Sequence, residues 1–189
     1  SIKKVKSYIG KIIKSNYSDI KKSKGLKKIL KEMKKNDEIS LIDTSRAYGA
    51  SENIIGKEIK KSDRSKFFIV TKLANVDQYK NDVEKALRYS LKQLGTEYVD
   101  AYLMHWPVTE TFLKSWSEME KCYEKGLCKA IGVCNCNIHH LEEIKKIAKI
   151  KPMINQIECH PLFTQNELRE YCNKENIKVM AYTATARMD

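Results

Sequence analysis

Val99-Asp-Ala-Tyr-Leu-Met-His105 is the stretch on which the fold turns. It is apolar at nearly every position instead of alternating, the mark of a β-strand covered on both faces. At its C-terminal end it stops on an imidazole. Both features recur on either side. Upstream lie Ser40-Leu41-Ile42, ending on Asp43, and Phe67 to Val70, running on to Lys72. Downstream lie Ala130 to Val133, ending near Asn135, Met153 to Ile157 with Gln156, and Val179 to Ala181 ahead of Tyr182. Ser7 to Ile13 is a weaker seventh candidate.

Between these runs the apolar period changes from strand to helix. Val83, Ala86, Leu87, Leu91 and Leu94 make one stripe, with Gly95 placed to cap its end. Leu113, Trp116, Met119 and Tyr123 make another, ended by Gly126. Leu141, Ile144, Ile147 and Ala148 follow an N-cap candidate at Asn137. Thr164 and Glu167 have the spacing of a capping box ahead of Leu168, Tyr171 and Cys172. Strands alternating with helices, without hairpin signals, predict parallel β/α units.

The six polar strand ends are separated by 29, 33, 30, 21 and 26 residues. A β/α barrel of eight units takes ~250 residues, or about 31 per unit. Parallel strands place all six groups on one rim, the C-terminal rim where barrel enzymes carry their active sites. A doubly wound sheet would require a Gly-rich phosphate loop, and G-x-G-x-x-G is absent. The sequence therefore predicts a TIM-type (β/α) barrel, apparently incomplete, with about seven of the eight units.

Composition narrows the function classes. The 189 residues fit one domain, 1–189, and 42% apolar content supports a sizeable core. No apolar run approaches the roughly 18 residues of a membrane span, and the Lys-interrupted start lacks a secretory h-region. A cytoplasmic protein without a membrane partner is expected. Six cysteines lack paired C-x-x-C spacing and read as reduced thiols. Cys134 and Cys136 with His139 and His140 match no zinc pattern, so no metal is expected. The net charge of +12 comes mostly from Lys interleaved with Glu, a solvated helix surface more than a nucleic-acid footprint. Such a surface can still draw in an anionic cofactor.

Carbonyl reduction requires a proton donor, a means of easing that donor's ionisation, and a hydride held at the carbon. Tyrosine alone, with a pKa of about 10, donates poorly. A neighbouring ammonium lowers its pKa, and a carboxylate keeps the ammonium charged and oriented. Tyr48, Lys72 and Asp43 supply this set from two adjacent strand ends, and His105 from a third can direct the carbonyl oxygen. In context, Leu-Ile-Asp43-Thr-Ser-Arg-Ala-Tyr48-Gly-Ala-Ser51-Glu52 followed by Ile-Ile-Gly56 resembles the aldo-keto reductase signature. Phe68-Ile-Val-Thr-Lys72-Leu and Tyr98-Val-Asp100-Ala-Tyr-Leu-Met-His105-Trp106-Pro107 resemble that family's lysine and histidine strands. Lys129-Ala-Ile-Gly132-Val-Cys-Asn135 resembles its I-G-V-S-N segment, and Ile154-Asn-Gln156-Ile-Glu158-Cys-His160-Pro161 its N-Q-x-E-x-H-P segment.

The resemblance implies that Tyr48 is the general acid, that Lys72 and Asp43 tune it, and that His105 orients the substrate carbonyl. It implies that Asn135 and Gln156 hold the carboxamide of NADPH or NADH, that Tyr182 stacks on the nicotinamide, and that Cys134 replaces a serine contact. The expected substrate is a small-molecule aldehyde or ketone. Family members continue through an eighth strand, its helix and a C-terminal loop, which this reading takes to be absent. Three alternatives stay open: a catalytically weak fragment, a binding or scaffold subunit that keeps the nicotinamide site, or a basic nucleic-acid or phospholigand binder on a barrel scaffold. A second chain completing the barrel is the corresponding partner.

Overall fold

The protein is described by a computed structural model covering residues 20–35 and 40–186. Six strands form one sheet: β1 (Leu41–Asp43), β2 (Phe68–Leu73), β3 (Ala101–Met104), β4 (Ile131–Cys134), β5 (Ile154–Glu158) and β6 (Lys178–Tyr182). They are hydrogen-bonded in chain order, every neighbouring pair parallel. Among the described residues, seven α-helices accompany them: α1 (Ile20–Lys35), α2 (Ser51–Ile59), α3 (Asn75–Tyr79), α4 (Val83–Leu94), α5 (Phe112–Glu124), α6 (Ile138–Ile147) and α7 (Asn166–Lys174). Each of the six firm strand candidates is therefore a strand. The seventh, Ser7 to Ile13, lies outside the described residues.

Strand order and side-chain alternation settle barrel against open sheet. Ile69 and Leu73 of β2, Tyr102 and Met104 of β3, Ile131 and Val133 of β4 and Ile157 of β5 pack with the helices into one large cluster. The intervening positions Val70, Ala101, Leu103 and Cys134 form a separate small cluster, flanked by Phe68, Ile154 and Met180. No helix residue belongs to it. A doubly wound sheet puts helices on both faces and reverses strand order at a switch point. This sheet does neither, so it is an arc of a barrel with an outer, helix-covered face and an inner one.

Local signals explain the outer layer. In α4, Val83, Ala86, Leu87, Leu91 and Leu94 are all buried, as the stripe predicts. Each of the Val and Leu side chains among them stabilises the fold by ~1.5–3 kcal/mol. Gly95 ends the helix in the left-handed region at φ 64°, where a side chain would be strained. The next amide, Thr96 N–H, then reaches back to Leu91 O at 3.2 Å. Asn137 stands at the N-cap of α6, where its N–H donates to His140 Nδ1 at 3.1 Å.

The capping box expected at Thr164 and Glu167 does not form. The N-cap of α7 is Gln165, held at φ 49°, which leaves Thr164 one residue outside the helix. Gln165 turns its side chain away to donate to Glu158 O at 2.7 Å. At the N-terminal end of the sheet, Arg64 donates to Asp100 Oδ2 at 2.8 Å and the same oxygen accepts from Ile69 N–H at 3.0 Å. That end is tied by ion pairing, and the opposite rim is left to the polar strand ends.

Candidate active site

Alternation sends Asp43, Lys72, Cys134, Gln156 and Tyr182 to the inner side of the sheet, at or just below its C-terminal rim. The backbone ladder runs past the strands to fix this level. Thr44 N–H donates to Val70 O at 2.9 Å, His105 N–H to Leu73 O at 3.1 Å and Asn135 N–H to Gln156 O at 2.9 Å.

Lys72 and Asp43 make the central ion pair, Nζ to Oδ1 at 2.7 Å, with their side chains only 1% and 3% exposed. Lys72 also donates to Thr44 O at 3.0 Å. Burial pulls the ammonium pKa down, but the charge of Asp43, joined by Cys134, Tyr48 and the Asp43 hydrogen bond, outweighs it and the pKa ends above its ordinary value. The amine is thus charged at neutral pH. Asp43 Oδ2 is buried without a hydrogen-bond partner among the described residues.

Tyr48 sits half-buried on the loop after β1, its ring centroid 5.1 Å from Lys72 Nζ. Its phenolic oxygen lies 3.4 Å from His105 Nε2. The expected lowering of its pKa is present but does not win. Burial raises it, Lys72 lowers it by charge and hydrogen bonding, Asp43 raises it, and the outcome lies above 10. The phenol therefore holds its proton at neutral pH.

Asn135, in the left-handed region at φ 58°, bridges the two halves of the rim. Its Nδ2 donates to His105 O at 3.1 Å and its Oδ1 accepts from Tyr182 Oη at 2.7 Å. Gln156 Oε1 accepts from Cys134 Sγ at 3.7 Å. All eight residues picked from the sequence thus join one connected cluster. A primary amide offers two donors and two lone pairs. Counting these contacts and the donation of Gln156 Nε2 to Met180 Sδ, Asn135 and Gln156 each keep one of each for a ligand. Those spare groups suit a carboxamide, which offers the same donors and acceptors in reverse, so the residues fit a nicotinamide cofactor.

Sequence reading missed two participants. Ser45, fully buried, accepts from Ala47 N–H at 3.1 Å and sits 3.5 Å from His105 Nδ1. Its place two residues after Asp43, on the same turn, was the available signal. Met180 Sδ accepts from Gln156 Nε2 at 3.3 Å, foreshadowed only by alternation along β6. Cys134 and Cys136, adjacent in the suspected metal motif, belong to opposite faces of the sheet. His139 and His140 pair with each other on α6, Nε2 to Nε2 at 3.1 Å. Trp106 is 48% exposed beside the rim, its carbonyl accepting from Gln78 Nε2 at 2.9 Å.

Comparison with known proteins agrees with this geometry. The model of the aldo/keto reductase family matches residues 18–187. A glyoxal reductase of Bacillus subtilis (strain 168) is 43% identical over 144 residues, covering 75% of this chain and 52% of that protein. A 9,11-endoperoxide prostaglandin H2 reductase of Trypanosoma cruzi (strain CL Brener) is 42% identical, covering 75% and 50%. The chain spans about half the length of these curated relatives. Among solved structures, an aldo/keto reductase from Brucella melitensis superposes with a TM-score of 0.81 at 38% identity, covering 88% of this chain and 65% of that one. A Bombyx mori aldo-keto reductase in complex with NADP superposes with a TM-score of 0.76 at 31% identity, covering 84% and 57%. Motif order, an all-parallel sheet with helices on one face and a Tyr-Lys-Asp-His rim point the same way as these matches: the chain belongs to the aldo/keto reductase family.

Proposed function

We propose that this chain carries the catalytic rim of an NADP(H)-dependent carbonyl reductase acting on small aldehydes or ketones in the cytoplasm, with no membrane or nucleic-acid partner. The observation that carries the reading is the buried Lys72–Asp43 pair beside a protonated phenol that also meets His105. Asn135 and Gln156 would hold the cofactor's carboxamide, with Tyr182 alongside. NADPH is favoured over NADH because solved relatives contain NADP or NADPH. When bound, the cofactor supplies the hydride that adds to the carbonyl carbon. Tyr48 gives its proton to the carbonyl oxygen, completing the alcohol, and becomes a phenolate. The fixed charge of Lys72 stabilises that phenolate, and Asp43 keeps the ammonium charged and aimed. His105 holds the carbonyl oxygen near Tyr48 Oη, with Ser45 behind its other ring nitrogen. Free thiols and the absence, among the described residues, of any helix long and apolar enough to cross a membrane support the cytoplasmic placement.

Tyr48→Phe tests this. Loss of the acid should cut carbonyl reduction by about 10²–10⁴-fold. NADPH should still quench the rim residue Trp106, while Trp116, fully buried in the outer layer, provides a constant background. Turnover at the parent rate would end the general-acid assignment. Quenching of parent and variant alike, with neither turning over any aldehyde or ketone, would favour a subunit that keeps the nicotinamide site without chemistry.

A further inference from the structure

Gln156 lies in a row with two sulfur side chains. Strand register sets Cys134 directly opposite it on β4 and Met180 directly opposite it on β6. All three project to the inner face, Gln156 only 3% and Cys134 only 1% exposed. Cys134 Sγ donates to Oε1 at 3.7 Å, and Nε2 donates to Met180 Sδ at 3.3 Å.

The two ends of a primary amide are almost equal in size and opposite in polarity, so its partners alone decide which way it faces. A thiol can donate, whereas a thioether can only accept. With the donor on β4 and the acceptor on β6, one flip of Gln156 makes two complementary contacts. The other sets its oxygen against the thioether lone pairs and leaves the thiol, its S–H turned away, as no more than a weak acceptor for the NH₂. Sulfur contacts are weak, so they choose the orientation without strongly competing for the remaining lone pair and N–H. Those two groups form an ordered donor–acceptor edge, the complement of another primary amide.

We propose that Cys134 and Met180 are positioning residues that preset the Gln156 amide to pair with the carboxamide of the nicotinamide ring. The proposal rests on the reading of Gln156 as a nicotinamide contact and adds what fixes that contact's polarity. It assigns Met180 a part in cofactor binding. It also explains how a thiol serves at position 134: the group acts through Gln156 and needs only a hydrogen to donate.

The test uses the whole chain, NADPH as the probe and Trp106 quenching to measure Kd. Met180→Leu keeps the volume but removes the acceptor, and Cys134→Ala removes the donor. Together they should weaken NADPH about three- to tenfold, the worth of one modest hydrogen bond. Cys134→Ser keeps a donor and should stay within about twofold of the parent. A second readout needs no cofactor. In the parent, each of the two side-chain amide protons of Gln156 should give one sharp NMR signal; in Met180→Leu alone, and more so in the double variant, both signals should shift and broaden as the amide exchanges between its two flips. Gln156→Ala separates the layers. If it weakens NADPH while the sulfur variants bind like the parent and keep its sharp, unshifted amide signals, the positioning role is overturned and the nicotinamide reading stands. If Gln156→Ala leaves NADPH affinity unchanged, both fall.

Discussion

The outer and inner faces of the same sheet are built to different rules. Outside, strand residues such as Ile69, Tyr102 and Val133 meet Leu87, Trp116 and Ile144 of the helices in one continuous apolar cluster. Inside, among the described residues, the core is the small cluster of Val70, Ala101, Leu103 and Cys134, and the next layer up is an ion pair and the amide that meets the Cys134 thiol. The outer face gains stability from area. The inner face places groups that would be costly to bury singly, each made tolerable by a partner at a fixed register. One period-two alternation thus divides the work, and each face should fail in its own way when altered.

The sharpest contrast sets Trp116→Ala against Lys72→Met. Trp116 is fully buried and donates from Nε1 to Ile150 O at 3.2 Å. Its removal should cost ~3–5 kcal/mol in urea unfolding and leave the NADPH affinity of the folded fraction unchanged. Lys72→Met strands the Asp43 carboxylate in a buried site and should cost a similar ~3–5 kcal/mol, but here reduction is lost too. The second half of the test is rescue. Adding Asp43→Leu to Lys72→Met should recover most of the stability, because an apolar pair replaces the buried charges, and none of the activity. Failure of the double variant to regain stability would show that the pair's cost is not one of desolvated charge.

The division into faces also decides how much could be read beforehand. Runs such as Val99 to Met104 and stripes such as Val83 to Leu94 are set by neighbours in the chain, so the six strands and the helices α4 to α7 were legible to within a few residues, whereas α1, α2 and α3 were not read. The candidate site was legible because most of its side chains lie at or near the C-terminal end of a strand. Alternation plus a common rim brings Asp43, Lys72, Gln156 and Tyr182 to one side without any long-range information. Two kinds of feature escaped. The α7 cap depends on a left-handed Gln165, a backbone state that Thr164 and Glu167 do not encode. The direction of the Tyr48 pKa depends on how much protein covers the ring, a tertiary quantity, so the ammonium could be foreseen and its defeat by desolvation could not.

A smaller effect is expected where the inner face is filled by backbone. Gly132, one residue before Val133, faces inward, and a Cβ there would lie 2.5 Å from Ile154 O and 2.8 Å from Leu103 Cδ2. Gly132→Ala should therefore cost about 1–3 kcal/mol by overpacking. Because β4 and β5 would shift beneath Cys134 and Gln156, NADPH affinity should fall with stability, unlike in Trp116→Ala. Unchanged affinity in a destabilised Gly132→Ala variant would mean that the row above tolerates strand displacement.

The least effect, and the most informative sign, belongs to a polar group on the wrong side of the division. Glu52 of α2 is buried in the outer layer, where its Oε1 accepts from Thr71 Oγ1 at 2.6 Å. Burial raises its pKa, and the hydrogen bonds from Thr71 and Ser90 and the charge of Arg46 only partly oppose this. A carboxyl whose pKa is higher folded than unfolded contributes most below the unfolded value and loses that contribution as pH rises through the folded one. The parent should thus lose stability relative to Glu52→Gln from about pH 4.5 upward. At pH 5 the two should lie within about 1 kcal/mol of each other, and by pH 8 the balance should have moved toward the glutamine variant in paired urea titrations. A balance moving toward the parent would mean that the hydrogen bonds from Thr71 and Ser90 favour the carboxylate more than burial disfavours it. In that case the outer layer, like the inner one, would accommodate a charge wherever its partners are in place.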